Sequence, residues 1–479
     1  MRIDVLHVST EYFPAAKAGG LADVVGALPK YLNNKKFNSK VIIPKHSTKW
    51  IKAQKWKEID QGSVKLLDKS YAYSIQEFDG DEHPLLVVDL PGLFDRASIY
   101  INKQNGMGYE DEVERNICFQ VAVMQWLNGL KKLPKVLHCH DHHTGLIPFY
   151  IKHGTAFKKL SNIPSVFTIH NGAYHGSFAW SKSQLLPAFD FSKKGLLDWN
   201  NMVNPLATGV KCCWKLTTVS PGYMEELRYE SNGLETLIEN ESAKSSGVLN
   251  GIDQEVWNPA TDELIASNLA DDLAAYKKEN KLALLKKFKF DSKKAVVTFI
   301  GRFAHEKGVQ LIPDLICRYL AHKNDLSFLI LGTGDKSLEG LLAKTKELYP
   351  DNVDLALEYN EGLAHQLYAG SDFLIMPSKV EPCGLNQMYA MRYGTIPIVH
   401  GVGGLKDTVM DLEDKSGKGY GFRFDQLTVF DGFDALKRAA ALYNDQQKFE
   451  SVRKKIVNLD FSWNKSASLY KHIYKEVLA

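Results

Sequence analysis

Glu381-Pro382-Cys383-Gly384-Leu385-Asn386-Gln387-Met388-Tyr389-Ala390-Met391-Arg392-Tyr393-Gly394-Thr395-Ile396-Pro397-Ile398-Val399-His400-Gly401-Val402-Gly403-Gly404-Leu405-Lys406-Asp407-Thr408 is the stretch whose reading decides the fold. The apolar run Phe373-Leu374-Ile375-Met376-Pro377 just before it reads as a buried strand, and Gly384 opens a helical pattern. Glu381 is thereby placed at a strand's carboxyl end, in the crevice where open α/β sheets bind ligands. A helix start at this point offers backbone N–H groups and a positive dipole end to an anion such as phosphate. A carboxylate beside such a cradle suits a sugar nucleotide, with acceptor oxygens for sugar hydroxyls and N–H donors for a pyrophosphate.

Outward from this stretch the chain alternates short runs rich in β-branched residues with longer amphipathic ones, the pattern of parallel strands joined by crossover helices. Strands are expected at 3–9, 40–44, 85–90, 136–140, 165–170 and 216–220, and then at 295–300, 326–331, 353–357, 372–376 and 396–399. Each set carries its own helices, so the fold class is α/β with two doubly wound domains. A chain of 479 residues is too long for one core and suits two domains of roughly 200 to 250 residues each. Gly247-Val248-Leu249-Asn250-Gly251-Ile252-Asp253 reads as a short strand ending in an Asn-Gly turn, followed by a polar, helix-prone segment at 258–290. The boundary therefore falls near 250, giving domains 1–250 and 251–462. The last segment, 463–479, has apolar residues at 469, 470, 473, 474 and 477 or 478 with the small Ser466 in the same register, a helical spacing that could pack on either domain.

Hydrophobic residues make up 44% and charged residues 24% of the chain, the composition of a globular protein, and the net charge is only +3. Basic doublets such as Lys131-Lys132, Lys158-Lys159 and Lys286-Lys287 are scattered, which reads as a solvated surface and not as a nucleic-acid patch. The opening Met1-Arg2-Ile3-Asp4-Val5 carries an acid where a signal peptide needs an apolar run, and no stretch approaches the ~20 apolar residues that span a bilayer. A cytoplasmic protein without a membrane partner is expected. The six cysteines form no Cys-x-x-Cys pair, so neither a zinc ribbon nor a disulfide framework is indicated.

Further chemistry gathers at other strand ends. After the first strand, Glu11-Tyr12-Phe13-Pro14-Ala15-Ala16-Lys17-Ala18-Gly19-Gly20-Leu21-Ala22-Asp23 leads into a helix. Gly19 and Gly20 would let a ligand approach the backbone, and Lys17 would reach it as a point charge. Thr298-Phe299-Ile300-Gly301-Arg302-Phe303-Ala304-His305-Glu306-Lys307-Gly308 again sets cations past a strand end, where Arg302 and Lys307 could neutralise a diphosphate leaving group. The strand at 326–331 runs into Gly332-Thr333-Gly334-Asp335, but Ser337 stands where a dinucleotide fingerprint needs its third glycine. His138-Cys139-His140-Asp141-His142-His143 invites a metal reading, yet the metallo-hydrolase pattern needs its aspartate at 142. His138 and His140 can share one strand face, and Asp141 at the strand end facing the crevice is the favoured reading. Phe167-Thr168-Ile169-His170-Asn171-Gly172 puts His170 at another strand tip. If the domains face each other, Lys17, Asp141, His170, Arg302 and Glu381 converge on one cleft.

In this order and spacing the segments resemble the bacterial glycogen synthase and plant starch synthase family. The resemblance is carried by Lys17-Ala18-Gly19-Gly20-Leu21-Ala22-Asp23-Val24, His140-Asp141-His142-His143-Thr144-Gly145-Leu146, Thr168-Ile169-His170-Asn171, Thr218-Val219-Ser220-Pro221, Gly247 to Asp253, Gly301-Arg302 with Lys307-Gly308, Pro377-Ser378, Glu381 to Leu385 and Gly403 to Thr408. It implies the GT-B fold, two Rossmann-like domains facing across a deep cleft with the terminal helix crossing back to the first. It also implies transfer of glucose from a nucleotide diphosphate, usually ADP-glucose, to the non-reducing 4-hydroxyl of an α-1,4-glucan, with retention of configuration and neither metal nor cofactor. Carried over by position, Lys17, Gly19 and Gly20 would meet the donor phosphates and sugar, and Arg302 with Lys307 would stabilise the departing ADP. Glu381 would hold glucose hydroxyls, assisted by the backbone of Cys383, Gly384 and Leu385, with His170 and Asp141 near the transferred sugar. Asp23, Asn250 and Tyr359 match further donor-site positions, Tyr359 as a platform for the base.

Some positions depart from the pattern. His142 stands where Trp is usual, which would weaken stacking on the acceptor, and Asn171-Gly172-Ala173-Tyr174-His175-Gly176 replaces the more usual Asn-Leu-Ala-Tyr-Gln-Gly. His400-Gly401-Val402 stands where an arginine commonly precedes the Gly-Gly-Leu loop, Asn386 replaces a Thr or Ile, and Tyr389 occupies the place of a second Glu found in other retaining GT-B enzymes. Donor base preference and acceptor length stay open between ADP-, UDP- and GDP-glucose and between glucan and other acceptors. A non-catalytic glucan-binding paralogue and a metallo-hydrolase are the rival readings.

Overall fold

Most of the apolar runs form parallel strands in the computed structural model, which describes residues 3–33, 37–80, 82–96, 98–102 and 106–479. Met1 and Arg2 of the opening segment lie outside the described residues. The chain divides into two compact units, the first comprising Met1–Val219, Met224–Gly251 and Trp463–Ala479, the second Ser220–Tyr223 and Ile252–Ser462. No helix among the described residues is long and apolar enough to cross a membrane.

The first unit is built on β1 (Val5–Val8), β2 (Ser39–Pro44), β3 (Trp56–Leu66), β4 (Lys69–Phe78), β5 (Leu85–Asp89), β6 (Val136–His140) and β7 (Ser165–Ile169). β8 (Phe178–Ala179), β9 (Asp198–Trp199) and β10 (Met202–Val203) form a separate small sheet, and β11 (Lys215–Thr218) and β12 (Ser245–Gly247) complete the main one. The main sheet runs β12-β11-β7-β6-β1-β2-β5-β4-β3. From β12 to β5 the pairs are parallel, and β5-β4-β3 are antiparallel. Strand order reverses between β1 and β6, so the loops leaving their carboxyl ends diverge there and open a crevice in this unit.

The second unit holds β13 (Ala295–Ile300), β14 (Leu326–Leu331), β15 (Val353–Ala356), β16 (Phe373–Met376), β17 (Ile396–His400) and β18 (Phe422–Phe424) in the order β15-β14-β13-β16-β17-β18, every pair parallel. The three central strands are almost wholly buried, as a parallel sheet covered on both faces requires. Its order reverses between β13 and β16, the two strands that lead to Arg302 and to Glu381.

The terminal helix Trp463–Glu476 packs in the first unit, where Trp463, Ala467, Tyr470, Ile473 and Tyr474 meet Val5, Val24, Leu28, Val136 and Val166. Leu469, one of the apolar positions in its helical spacing, instead faces solvent.

Three local readings need correction. The hairpin β3-β4 is not among the expected strands, because β3 forms the sheet edge and carries polar residues such as Lys57, Glu58, Asp60 and Gln61 where a buried strand would alternate cleanly. The strand expected to begin at Gly247 ends there, since Ser245–Gly247 is the edge partner of β11. The helix expected over 258–290 spans only Leu273–Phe288, capped by Asp272, whose Oδ1 accepts the N–H groups of Ala274 and Ala275 at 2.9 and 3.0 Å. Before it, Asp262 and Asn268 hold the backbone in turns, Asp262 Oδ1 accepting from Leu264 N at 2.9 Å and Asn268 Nδ2 donating to Asp262 O at 2.8 Å.

At the start of β16, buried Asp372 ties three elements together: Arg453 Nη2 and Lys281 Nζ each lie 2.6 Å from its carboxylate, and Val296 N donates to it at 2.8 Å. These cations hold its pKa below the ordinary carboxylate value despite burial. Removing one partner leaves the other charges buried and unpaired. Asp372→Ala should therefore lower stability by about 3–5 kcal/mol in denaturant unfolding, whereas removing the partly exposed Lys346–Asp354 pair through Lys346→Ala should change it by less than about 1 kcal/mol.

Candidate functional site

In the first unit the loop after β1 is fastened by Glu11. This buried carboxylate accepts the N–H groups of Ala18 and Gly19 at 2.6 and 2.9 Å through Oε2, and the Tyr100 hydroxyl at 2.7 Å through Oε1. Burial raises its pKa against the pull of those donors. Lys17 Nζ meets Asp23 Oδ1 at 2.7 Å and lies 5.2 Å from the Phe13 ring centre, so two of the expected residues are neighbours. Gly20 is the first residue of the helix Gly20–Asn33.

Beyond the carboxyl end of β6, Asp141 takes a positive φ of 56° and is buried. Its Oδ1 accepts the backbone N–H of His170 at 2.7 Å and that of Asn171 at 3.5 Å. Asp141 thus fixes the chain at the tip of β7, and burial pushes its pKa up to about 6. The His170 ring is bonded through Nε2 to His140 Nδ1 at 3.0 Å, and burial lowers its pKa to about 3, so it is a neutral imidazole. Asn250 follows β12 with its side chain buried, and its Oδ1 has no hydrogen-bond partner among the described residues.

In the second unit Glu381 lies past β16 with its side chain almost out of solvent. Lys307 Nζ meets both its oxygens, at 2.7 and 2.8 Å, and Ser378 Oγ donates to Oε2 at 2.9 Å. His400 Nδ1 is bonded to Ser378 O at 2.7 Å and Gly404 N donates to Glu381 O at 3.0 Å, so the end of β17 helps hold the same turn. Lys307 can reach Glu381 because Gly308 follows it: φ there is +69°, and a Cβ would lie 1.6 Å from Pro377 O. Arg302 is exposed and paired with Glu306, Nη2 to Oε1 at 3.1 Å. The backbone of Cys383, Gly384 and Leu385 leads into the helix Asn386–Arg392, which begins two residues later than Gly384. Asn386 Nδ2 donates to Ile300 O at 2.7 Å and so ties this helix to the end of β13. Tyr359, beyond β15, is 82% exposed.

Two families match the two parts of the chain: the starch synthase catalytic domain over residues 4–240 and the glycosyl transferases group 1 over residues 280–426. A glycogen synthase of Flavobacterium johnsoniae is 42% identical over 480 residues, covering 99% of each chain. The chain belongs to the glycogen synthase family. A glycogen synthase of Thermotoga petrophila is 35% identical over 489 residues, again with 99% of each chain covered. The catalytic domain of starch synthase IV from Arabidopsis thaliana, solved with ADP and acarbose bound, is 32% identical and superposes with a TM-score of 0.88 over the whole of both chains. Sucrose-phosphate synthase from Thermosynechococcus elongatus, at 16% identity and a TM-score of 0.63 over 99% of both chains, shares the fold. The protein is a glycosyltransferase with the GT-B fold.

Because the folded pKa of Asp141 lies above the ~3.9 of an unfolded aspartate, the native state holds the proton more tightly, and the stability this gives is full below pH 4 and lost as pH rises through 6. Asp141→Asn keeps an oxygen for the His170 N–H and removes the titration. Relative to this variant the native protein should lose up to about 3 kcal/mol between pH 4 and 6, measured by thermal unfolding across that range.

Proposed function

We propose that the enzyme transfers glucose from ADP-glucose to the non-reducing 4-hydroxyl of an α-1,4-glucan, retaining the anomeric configuration and using neither metal nor cofactor, in the cytoplasm. The observation that carries this reading is the pair Gly19 and Gly20. Among the described residues a Cβ at either would meet nothing within 4 Å, and neither has a positive φ, so no described neighbour asks for glycine there. What a side chain would obstruct there is a ligand against the backbone. The adenine nucleotide is supported by the ADP bound to starch synthase IV, and the glucan by the name glycogen synthase that the relatives share.

The second unit supplies the charge chemistry. An ammonium has three N–H donors, and Lys307 directs two at Glu381, leaving one for a phosphate oxygen. The Glu381 carboxylate has about four lone-pair directions, of which Lys307 takes two and Ser378 one. One acceptor direction remains, suited to a sugar hydroxyl, with the backbone of Cys383, Gly384 and Leu385 beside it. Arg302 adds a second cation for the departing diphosphate, and Tyr359 a face for the base. In the first unit, Lys17 and the Gly19-Gly20 backbone address phosphates and sugar, Asp23 and Asn250 add polar contacts to the donor, and Asp141 holds the backbone that presents His170 to the sugar. With Glu381 so committed to Lys307, it acts as a holder of hydroxyls and not as a nucleophile. Retention then follows if the leaving phosphate oxygen takes the acceptor's proton on the face it departs from, so that positioning and charge stabilisation do most of the work.

Purified protein given glycogen and ADP-, UDP- or GDP-glucose in turn should release ADP fastest and without inhibition by chelator. Fastest release of UDP or GDP would overturn the donor assignment, and glucan binding without release would overturn catalysis. Gly20→Ala should leave thermal stability unchanged or raised by up to about 1 kcal/mol, while raising the KM for donor at least tenfold. Glu381→Ala should lower kcat by several powers of ten, and Lys307→Ala should lower kcat and raise donor KM together; a trapped glucosyl ester on Glu381 would refute its assigned role.

A further inference from the structure

Behind His170 the first unit buries more imidazoles than the proposed mechanism uses. His7 of β1 and His138 and His140 of β6 lie on one face of the sheet, each with no exposed surface. His138 is engaged on both sides, by the Tyr474 hydroxyl at 2.7 Å on Nδ1 and by Thr168 Oγ1 at 2.6 Å on Nε2. Its ring stacks on His140 with centroids 4.2 Å apart and holds that ring in place. His140 is engaged on both sides too, but by histidines: its Nε2 meets His7 Nδ1 at 3.1 Å and its Nδ1 meets His170 Nε2 at 3.0 Å. Burial holds all three rings of this row neutral.

A neutral imidazole carries one N–H and one bare nitrogen, so the row can be protonated in only two consistent patterns. Either every ring donates toward His170 or every ring donates away from it. His7 Nε2 decides between them, because it is buried and has no hydrogen-bond partner among the described residues. Donation away from His170 would strand an N–H at that nitrogen, whereas donation toward it leaves only a bare lone pair. A buried donor without a partner is the rarer and costlier defect.

We propose that His7 and His140 are positioning residues that fix the tautomer of His170: His7 Nδ1–H donates to His140 Nε2, His140 Nδ1–H donates to His170 Nε2, and His170 is left with its proton on Nδ1. His170 therefore meets its sugar as an obligate N–H donor, matched to a hydroxyl or ring oxygen lone pair. This rests on the reading that His170 faces the transferred sugar. In metal sites the outer partners that orient a ligating histidine are each worth roughly 10–100-fold in affinity or activity, and a comparable loss of kcat is expected when the row is broken here.

The test is nitrogen NMR of the full-length protein labelled with 15N-histidine, with His170 assigned by comparison with His170→Asn. The expected result is a protonated Nδ1 and a bare Nε2 on His170 in the native protein. Both His140→Phe, which keeps a ring against His138, and His7→Phe should let the tautomers mix and lower kcat with donor KM little changed; His7→Asn, which restores an N–H, should recover most of the rate. A proton on Nε2 of His170 in the native protein overturns the proposal, whatever His7 and His140 variants do. So does an unchanged His170 tautomer in His140→Phe or, should that variant not fold, in His7→Phe. The underlying reading fails separately, if His170→Ala turns over at near-native rate whatever the tautomer.

Discussion

A carboxylate held out of water needs a partner, and for Glu381 that partner is Lys307. Desolvating either group alone would cost several kcal/mol, so the turn after β16 and the loop after β13 can pack only together. That requirement reaches into the backbone. Gly308 lets the lysine loop lie on Pro377, and Gly404 lets the segment after β17 lie on Cys383, where a Cβ would stand 2.0 Å from the Cys383 oxygen. Ser220 and Gly222 also close on this region, Ser220 Oγ donating to Pro382 O at 2.6 Å and Gly222 N to Asp407 Oδ2 at 2.6 Å. The charge pair is therefore the centre of a tightly closed set of turns, and its geometry is set before any ligand arrives.

The first unit meets the same difficulty by a different route. Glu11 is buried without a paired cation among the described residues, and its charge is spread over two backbone N–H groups and a phenol. The consequence is a loop whose backbone is fixed at Ala18 and Gly19 while the space above Gly19 and Gly20 stays open. Asp141 repeats the device at the tip of β7, spending its carboxylate on the backbone of His170 and Asn171. In this unit acids shape the main chain, whereas in the second an acid shapes the placement of a cation.

What could be read from the sequence follows from what each residue's signal is local to. Buried parallel strands announce themselves as apolar runs, and in open sheets chemistry sits at their carboxyl ends, so Asp141, His170, Arg302 and Glu381 could all be placed from pattern alone. The Lys307–Glu381 contact joins residues 74 apart, and only the resemblance to a family linked them to one task. Glu11 was visible as part of a loop, but its partner Tyr100 comes 89 residues later in a segment with no strand or helix signal to place it. The hairpin β3-β4 escaped because an edge exposed to water has no need of the apolar alternation by which strands are found. His7 gave no sign either, since one histidine in an apolar strand acquires a role only when the sheet sets it beside β6.

His142 shows how burial changes the meaning of a substitution. The resemblance makes Trp the usual residue there, and an aromatic face lost to the acceptor was the expected consequence. The His142 ring is instead buried, tilted by 32° against the His143 ring with centroids 3.7 Å apart, within 3.7 Å of Glu112, and so close to Gly176 that a Cβ there would stand 2.4 Å from it. It has little face to offer a sugar. Beside it lies a cavity of about 80 Å³ lined by Glu112, Gln120, Gly176, Phe178 and Pro205 among others. An imidazole fills less volume than an indole, and its N–H and lone pair bring polarity where an indole would pack. The exchange therefore acts on packing between the helix Glu112–Gly129 and the turn at Gly176, and through Asp141, its chain neighbour, on the backbone that carries His170.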